Sequence, residues 1–261
     1  MTFEFARTLS MQMLAWTMFL QGLEMYLCSR RKWFRSIWGF RNLAADLERG
    51  LPLPRPLIWI FFNDDAFKHI AIVQMLSAVI AFSMPGSLPF GILFCTHLLF
   101  CIRFRGTFNG GSDMMTFVVL TGVLLSLVLP ETSLKFGLVY ICVHALFSYF
   151  RAGTGKLKEA KWRDGTALAI FLSRSLYPDM QKLAAQLRPM NWLCVVMSWG
   201  VMVFELSVIA LPLAPNSAIV YFEALLLFHF CVYRAFGLNR FFWIWLSAWP
   251  SIFYTVGLFS A

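Results

Sequence analysis

An all-α, polytopic membrane bundle is the fold class this sequence predicts. It should have about eight membrane-spanning helices and two amphipathic helices at the bilayer surface, in a single transmembrane domain over residues 1–261. Three observations predict it. Apolar runs of spanning length recur along the chain, separated by short polar loops. Of the 261 residues, 59% are hydrophobic and 13% charged, against about 25% charged in a soluble domain. The lysines and arginines gather in alternate loops, as topology signals do. The net charge of +9 therefore points to orientation and anionic lipid headgroups as partners, and not to nucleic acid.

The first span is expected over residues 8–27, where Gln12, Gln21 and Glu24 require one face turned away from lipid. Glu4 and Arg7 lead straight into it, so no cleavable signal pattern is expected. Residues 36–50 interleave Ile37, Trp38, Phe40 and Leu43 with arginines, and Trp33 and Phe34 precede them; this reads as the first interfacial helix. Pro52, Pro54 and Pro56 end it. Residues 57–63 are apolar but too short to span, and should lie on the surface or re-enter.

Spans two and three follow at 69–82 and 88–102, with only a turn at Met84-Pro-Gly-Ser between them. A polar loop, 103–113, leads to span four at 114–129, which Pro130 ends. Span five covers 134–150. Residues 166–190 read as the second interfacial helix, broken near Pro178. Spans six, seven and eight are expected at 192–213, 218–233 and 241–258. Of the 22 lysines and arginines, all but Arg7 and Lys135 fall between spans one and two, three and four, five and six, or seven and eight. Every basic loop then lies on one side of the membrane, with both termini on the other.

The six cysteines sit in or beside apolar runs with no CxxC among them, and read as small apolar residues. No HxxxH or ExxH spacing suggests a metal site. Polar groups inside spans are costly and so informative: Glu24, His97, His144, Glu205, Glu223 and His229. Each is either a hydrogen bond between helices or part of a functional site. The densest polar stretch runs from Tyr149 to Thr166. Gly153 and Gly155 would let the chain turn sharply as it leaves span five. Lys156 comes next, and Trp162 suits a bilayer interface. Such a loop either sets topology or presents an amine at the membrane boundary.

These residues carry a family resemblance. Tyr149-Phe150-x-Ala152-Gly153-x-x-Lys156-Leu157, with Trp162 and Gly165, resembles the core of the vitamin K-dependent γ-carboxylases and their small bacterial relatives, the horizontally transferred transmembrane (HTTM) proteins. Phe228-His229, Phe236, Gly237, Phe241, Leu246, Ala248 and Pro250 look like a later helix pair of that family, and Phe108-Asn109-Gly110-Gly111-Ser112-Asp113 is a third match. The resemblance implies a multi-pass protein of the bacterial inner membrane and an enzyme acting with a quinone or hydroquinone of vitamin K type, or on a peptide. Lys156 and His229 would be catalytic, with Asn109, Asp113 and Trp162 binding substrate or cofactor; Glu205 and Glu223, costly inside their spans, are further candidates for that binding. Lys156, stripped of water, would be the base that deprotonates the quinol.

Two departures qualify this. The family's histidine after its Asn-Asn pair has no counterpart in residues 109–113, and a large extramembrane domain like that of the animal enzymes is not expected. Processive glutamate carboxylation is therefore not expected; maturation of a small secreted peptide is closer in scale. The resemblance to the animal carboxylase implies a lumenal side for the equivalent of Lys156, whereas the basic loops place it in the cytoplasm. Two other readings remain open: a non-catalytic partner in maturation, immunity or assembly, and a small transporter using Glu205 and Glu223.

Overall fold

The computed structural model describes residues 1–106 and 109–259. They are helical throughout, with no strand among the described residues: α1 Phe3–Ser29, α2 Lys32–Trp38, α3 Phe40–Gly50, α4 Arg55–Phe62, α5 Asp64–Ser83, α6 Ser87–Arg103, α7 Gly110–Val128, α8 Phe136–Lys158, α9 Ala160–Arg163, α10 Thr166–Ser173, α11 Pro178–Leu187, α12 Asn191–Ser207, α13 Ala218–Phe236 and α14 Asn239–Gly257. A helix stands at each of the eight expected spans. Five stretches are long and apolar enough to cross a membrane: Asp64–Ser83, Gly110–Val128, Glu131–Lys158, Asn191–Leu213 and Pro215–Phe236; α6 is a shorter apolar helix. The protein is a multi-pass membrane protein.

Two compact units share the helices. Residues 2–138 and 243–247 form one, and residues 139–242 with the end of α14 form the other.

In the N-terminal unit, α1 lies close against α5 because Gly22 leaves room for Ala71 and Met75; a Cβ there would come 3.0 Å from the Ala71 carbonyl oxygen. Gln21, Gln74 and His97 of these spans face each other, since lipid cannot satisfy them; Glu24, expected on a face turned away from lipid, is exposed instead. Gln74 Nε2 donates to Gln21 Oε1 at 3.0 Å and to the Met18 carbonyl at 2.9 Å. His97 bridges Gln21 Oε1 and the Asp113 carbonyl, 3.1 Å from each. At the far end of α7, Gly137 presses on α7 so closely that a Cβ would lie 2.2 Å from the Gly122 carbonyl oxygen.

The expected first interfacial helix is two helices, which corrects the sequence reading. Gly39 is extended at φ −62°, ψ 146°, and this breaks the segment between α2 and α3. The apolar face of α3 (Phe40, Leu43, Leu47) buries Ile58 and Phe62 of α4, so the short apolar run at 57–63 lies under α3. Arg103, 2% exposed, fastens this collar. Its guanidinium donates to the carbonyls of Phe62 and Trp38 and to Asp64 Oδ1 at 2.6 Å. The loop after α6 adds an ion pair between Arg105 and Asp46.

In the C-terminal unit the second interfacial segment breaks as expected. α10 ends at Ser173, and Pro178 occupies the first turn of α11, where its missing N–H costs nothing. Leu172, Ala184, Leu187, Cys194 and Ala235 form the core beneath them. The last turn of α13 touches the same region, with Arg234 on Asp179 at 2.5 Å and Ser175 Oγ donating to the Ala235 carbonyl at 2.5 Å. Within each unit, then, the two basic loops meet at one end, as the alternate-loop pattern requires. The cysteines are all free thiols; Cys101, Cys142 and Cys194 are buried, but Cys95 and Cys231 face outward.

Candidate functional site

The site grows from one face of α8. Tyr149, Gly153 and Lys156 follow at spacings of four and three, which stacks them on one side of a helix. The helix runs unbroken through both glycines to Lys158, so the sharp turn expected at Gly153 and Gly155 does not occur. Gly153 serves a different purpose: a Cβ there would stand 3.0 Å from Leu206 Cγ and 3.1 Å from Glu205 Cβ. The missing side chain lets α12 come close. Gly155 has open space around it. Gly153→Ala should therefore destabilise by about 1–3 kcal/mol through overpacking, while Gly155→Ala should stabilise by about 0.5–1 kcal/mol through helix propensity. Thermal unfolding of the two variants in the same detergent checks the opposite signs.

The close approach brings Lys156 onto Glu205. Nζ lies 2.7 Å from both carboxylate oxygens, and the side chains are 19% and 3% exposed. Trp162, just past the end of α8, covers the pair, with its ring centroid 5.3 Å from Nζ. The indole is held by Phe171 at 5.9 Å between centroids. The corner that carries it is fixed by Gly165 at φ 82°, where a Cβ would collide with the Val195 backbone nitrogen at 2.5 Å. Asp164 accepts from the Thr166 amide and hydroxyl at 2.9 and 2.7 Å, and these bonds hold its carboxyl below the usual carboxylate range.

Two turns back along the same face, Tyr149 Oη lies 2.7 Å from His229 Nε2 of α13. Both residues are buried. Phe228 and Phe241 pack edge-on against the imidazole at 5.3 and 5.0 Å, and the Trp249 side chain hydrogen-bonds the Tyr149 hydroxyl. So Lys156, Trp162, Glu205 and His229, four of the residues singled out in the sequence, belong to one unit and converge on one face of α8. Tyr149 joins them.

The others do not belong to this cluster. Asn109 and Asp113 cap α7 in the N-terminal unit: Asn109 Oδ1 accepts from the Ser112 amide at 3.4 Å, and Asp113 Oδ2 accepts from the Asn109 amide at 2.7 Å. Glu223 is exposed on the outer surface of α13. Among the described residues no group of three or more His, Cys, Asp or Glu side chains could hold a metal ion.

An ammonium and a carboxylate pressed together beneath an indole form a charge-neutral unit that either partner can open. The carboxylate can take a proton while the ammonium remains, and the ammonium can then serve a new anion. A carboxylate this deep needs such a counterion. Sequence reasoning singled out both residues but did not pair them, 49 positions apart. The one local signal was Gly153, on the same face one turn before Lys156.

Among families of known proteins, the one described as the HTTM domain matches residues 133–257, which contain every member of this cluster. No curated protein and no solved structure matches the chain.

Proposed function

We propose that this HTTM-family membrane protein is an enzyme of the bacterial inner membrane that moves a proton between the Lys156–Glu205 pair and the hydroxyl of a quinol drawn from the bilayer. The observation that carries the reading is the bidentate 2.7 Å pairing of Lys156 with a glutamate whose side chain is only 3% exposed, in an otherwise apolar span. Intramembrane ionisable pairs mark pathways and proton relays.

The residues suit a hydroquinone of vitamin K type. Glu205 offers an acceptor for an acidic hydroxyl, Lys156 a cation for the charge left behind, and Trp162 a flat apolar surface. When bound, such a group supplies acidic protons and two reducing electrons. Glu205 Oε would take the proton. Lys156 Nζ, already charged, would turn from Glu205 to the negative charge that appears opposite it, so no bare ion is created in a medium of low polarity. Tyr149 and His229 would position the wall of the site and carry the proton onward.

The test is oxidation of a reduced short-chain naphthoquinone by air, followed by absorbance, with the protein in nanodiscs. Wild type should accelerate it. Glu205→Gln and Lys156→Met should each lose about 100-fold or more, the usual worth of a positioned acid–base group. Lys156→Arg, which keeps the charge without the compact ammonium, should fall between. Equal rates for wild type and Glu205→Gln would leave the pair as a bolt between helices.

A further inference from the structure

The outer surface of the C-terminal unit carries two polar groups that the cluster does not use. Glu223 sits on α13 among Ile219, Val220, Leu227 and Phe230, all 49–64% exposed. It has no hydrogen-bond or ion-pair partner among the described residues. Only 17% of the apolar stretch of this helix is buried within the chain, against 50% for α7. His144 sits on α8 between exposed Val143 and Phe147. Its Nδ1 is committed to the Tyr140 carbonyl at 3.0 Å. A carbonyl only accepts, so Nδ1 carries the proton, and Nε2 is left as an outward-facing acceptor.

Depth links the two. α8 and α13 run the same way, since both end at the basic loops that meet through Arg234 and Asp179. His144 is twelve residues before Lys156, and Glu223 eleven before Arg234. At 1.5 Å per residue, both lie roughly 17 Å from that end. A two-fold axis along the membrane normal preserves depth, so it can bring one group of each copy opposite the other, twice.

We propose that the outer faces of α8 and α13 form the contact between two copies of this chain, with His144 of one protomer hydrogen-bonded to Glu223 of its partner. A lone carboxylate facing lipid is costly. The chain itself supplies the complementary acceptor at the matching level, and each pair shares one proton between a carboxyl oxygen and Nε2. The same face meeting without His144 would set carboxyl against carboxyl.

Association is read by energy transfer between donor- and acceptor-labelled protein in liposomes, as lipid is added to dilute it. Wild type should dimerise. Glu223→Ala and His144→Ala should each weaken the dissociation constant by about tenfold or more, as two symmetry-related polar contacts are lost. Both positions are exposed in the single chain, so each variant should keep its unfolding temperature in detergent. The exchange of both groups, Glu223→His with His144→Glu, should restore association. A wild type that is monomeric at every dilution would overturn the proposal, as would single variants that associate like wild type or an exchange that fails to restore.

Discussion

Lys156→Met should destabilise the C-terminal unit by about 3–5 kcal/mol, whereas Glu205→Leu should cost far less. The two substitutions break the same 2.7 Å contacts, but what they leave behind differs. Without Lys156, a carboxylate 3% exposed stays in the span with no counterion, and orphaning a buried charge carries that penalty. Without Glu205, the lysine is already 19% exposed, and its flexible stem can carry the ammonium out to the interface. The double substitution Lys156→Met with Glu205→Leu should recover most of the loss, since an apolar pair of similar volume often matches a buried ion pair. Unfolding in detergent of wild type, both singles and the double forms a cycle that gives the coupling directly. Equal losses for the two single variants would contradict the burial asymmetry.

Gly137→Ala should be the most damaging single-methyl change in the N-terminal unit, at about 3 kcal/mol or more. The new Cβ would meet backbone on α7: the Gly122 carbonyl oxygen at 2.2 Å and the Ser126 amide nitrogen at 2.7 Å. No rotamer of a neighbour can relieve that, so the helices must part, and overpacking against backbone sits at the top of its usual range. Helix propensity alone would favour alanine over glycine by about 1 kcal/mol. The sign of the measured change therefore decides between local preference and packing. Reduced expression and a lower unfolding temperature are the expected results.

The helices were legible because lipid imposes a strong rule: apolar runs must close their own hydrogen bonds. Each expected span has its helix, and Pro178 was rightly read as a break. Gly39 was not, because a single glycine between tryptophan and phenylalanine gives no sign of which way the backbone will go. Gly153 and Gly155 misled for a related reason. In membrane helices glycine as often marks close approach as a bend, and the neighbour that decides the matter, Leu206, lies 53 positions away. The resemblance pointed to Lys156 and His229, and burial cost pointed to Glu205. What no local pattern revealed was that Gly153 admits α12; the shared face of Tyr149 and Lys156, seven residues apart, was hidden by the expected end of the span at residue 150, whereas α8 runs on to Lys158.

Arg103 has a consequence for the integrity of the chain. Its guanidinium grips Trp38 on one side of the proline-rich link at 51–54, and Phe62 and Asp64 on the other. A protease that severed that link would free nothing. The severed ends would stay knotted to the same cation, and the surface collar would ride with the bundle as though the peptide bond were still there.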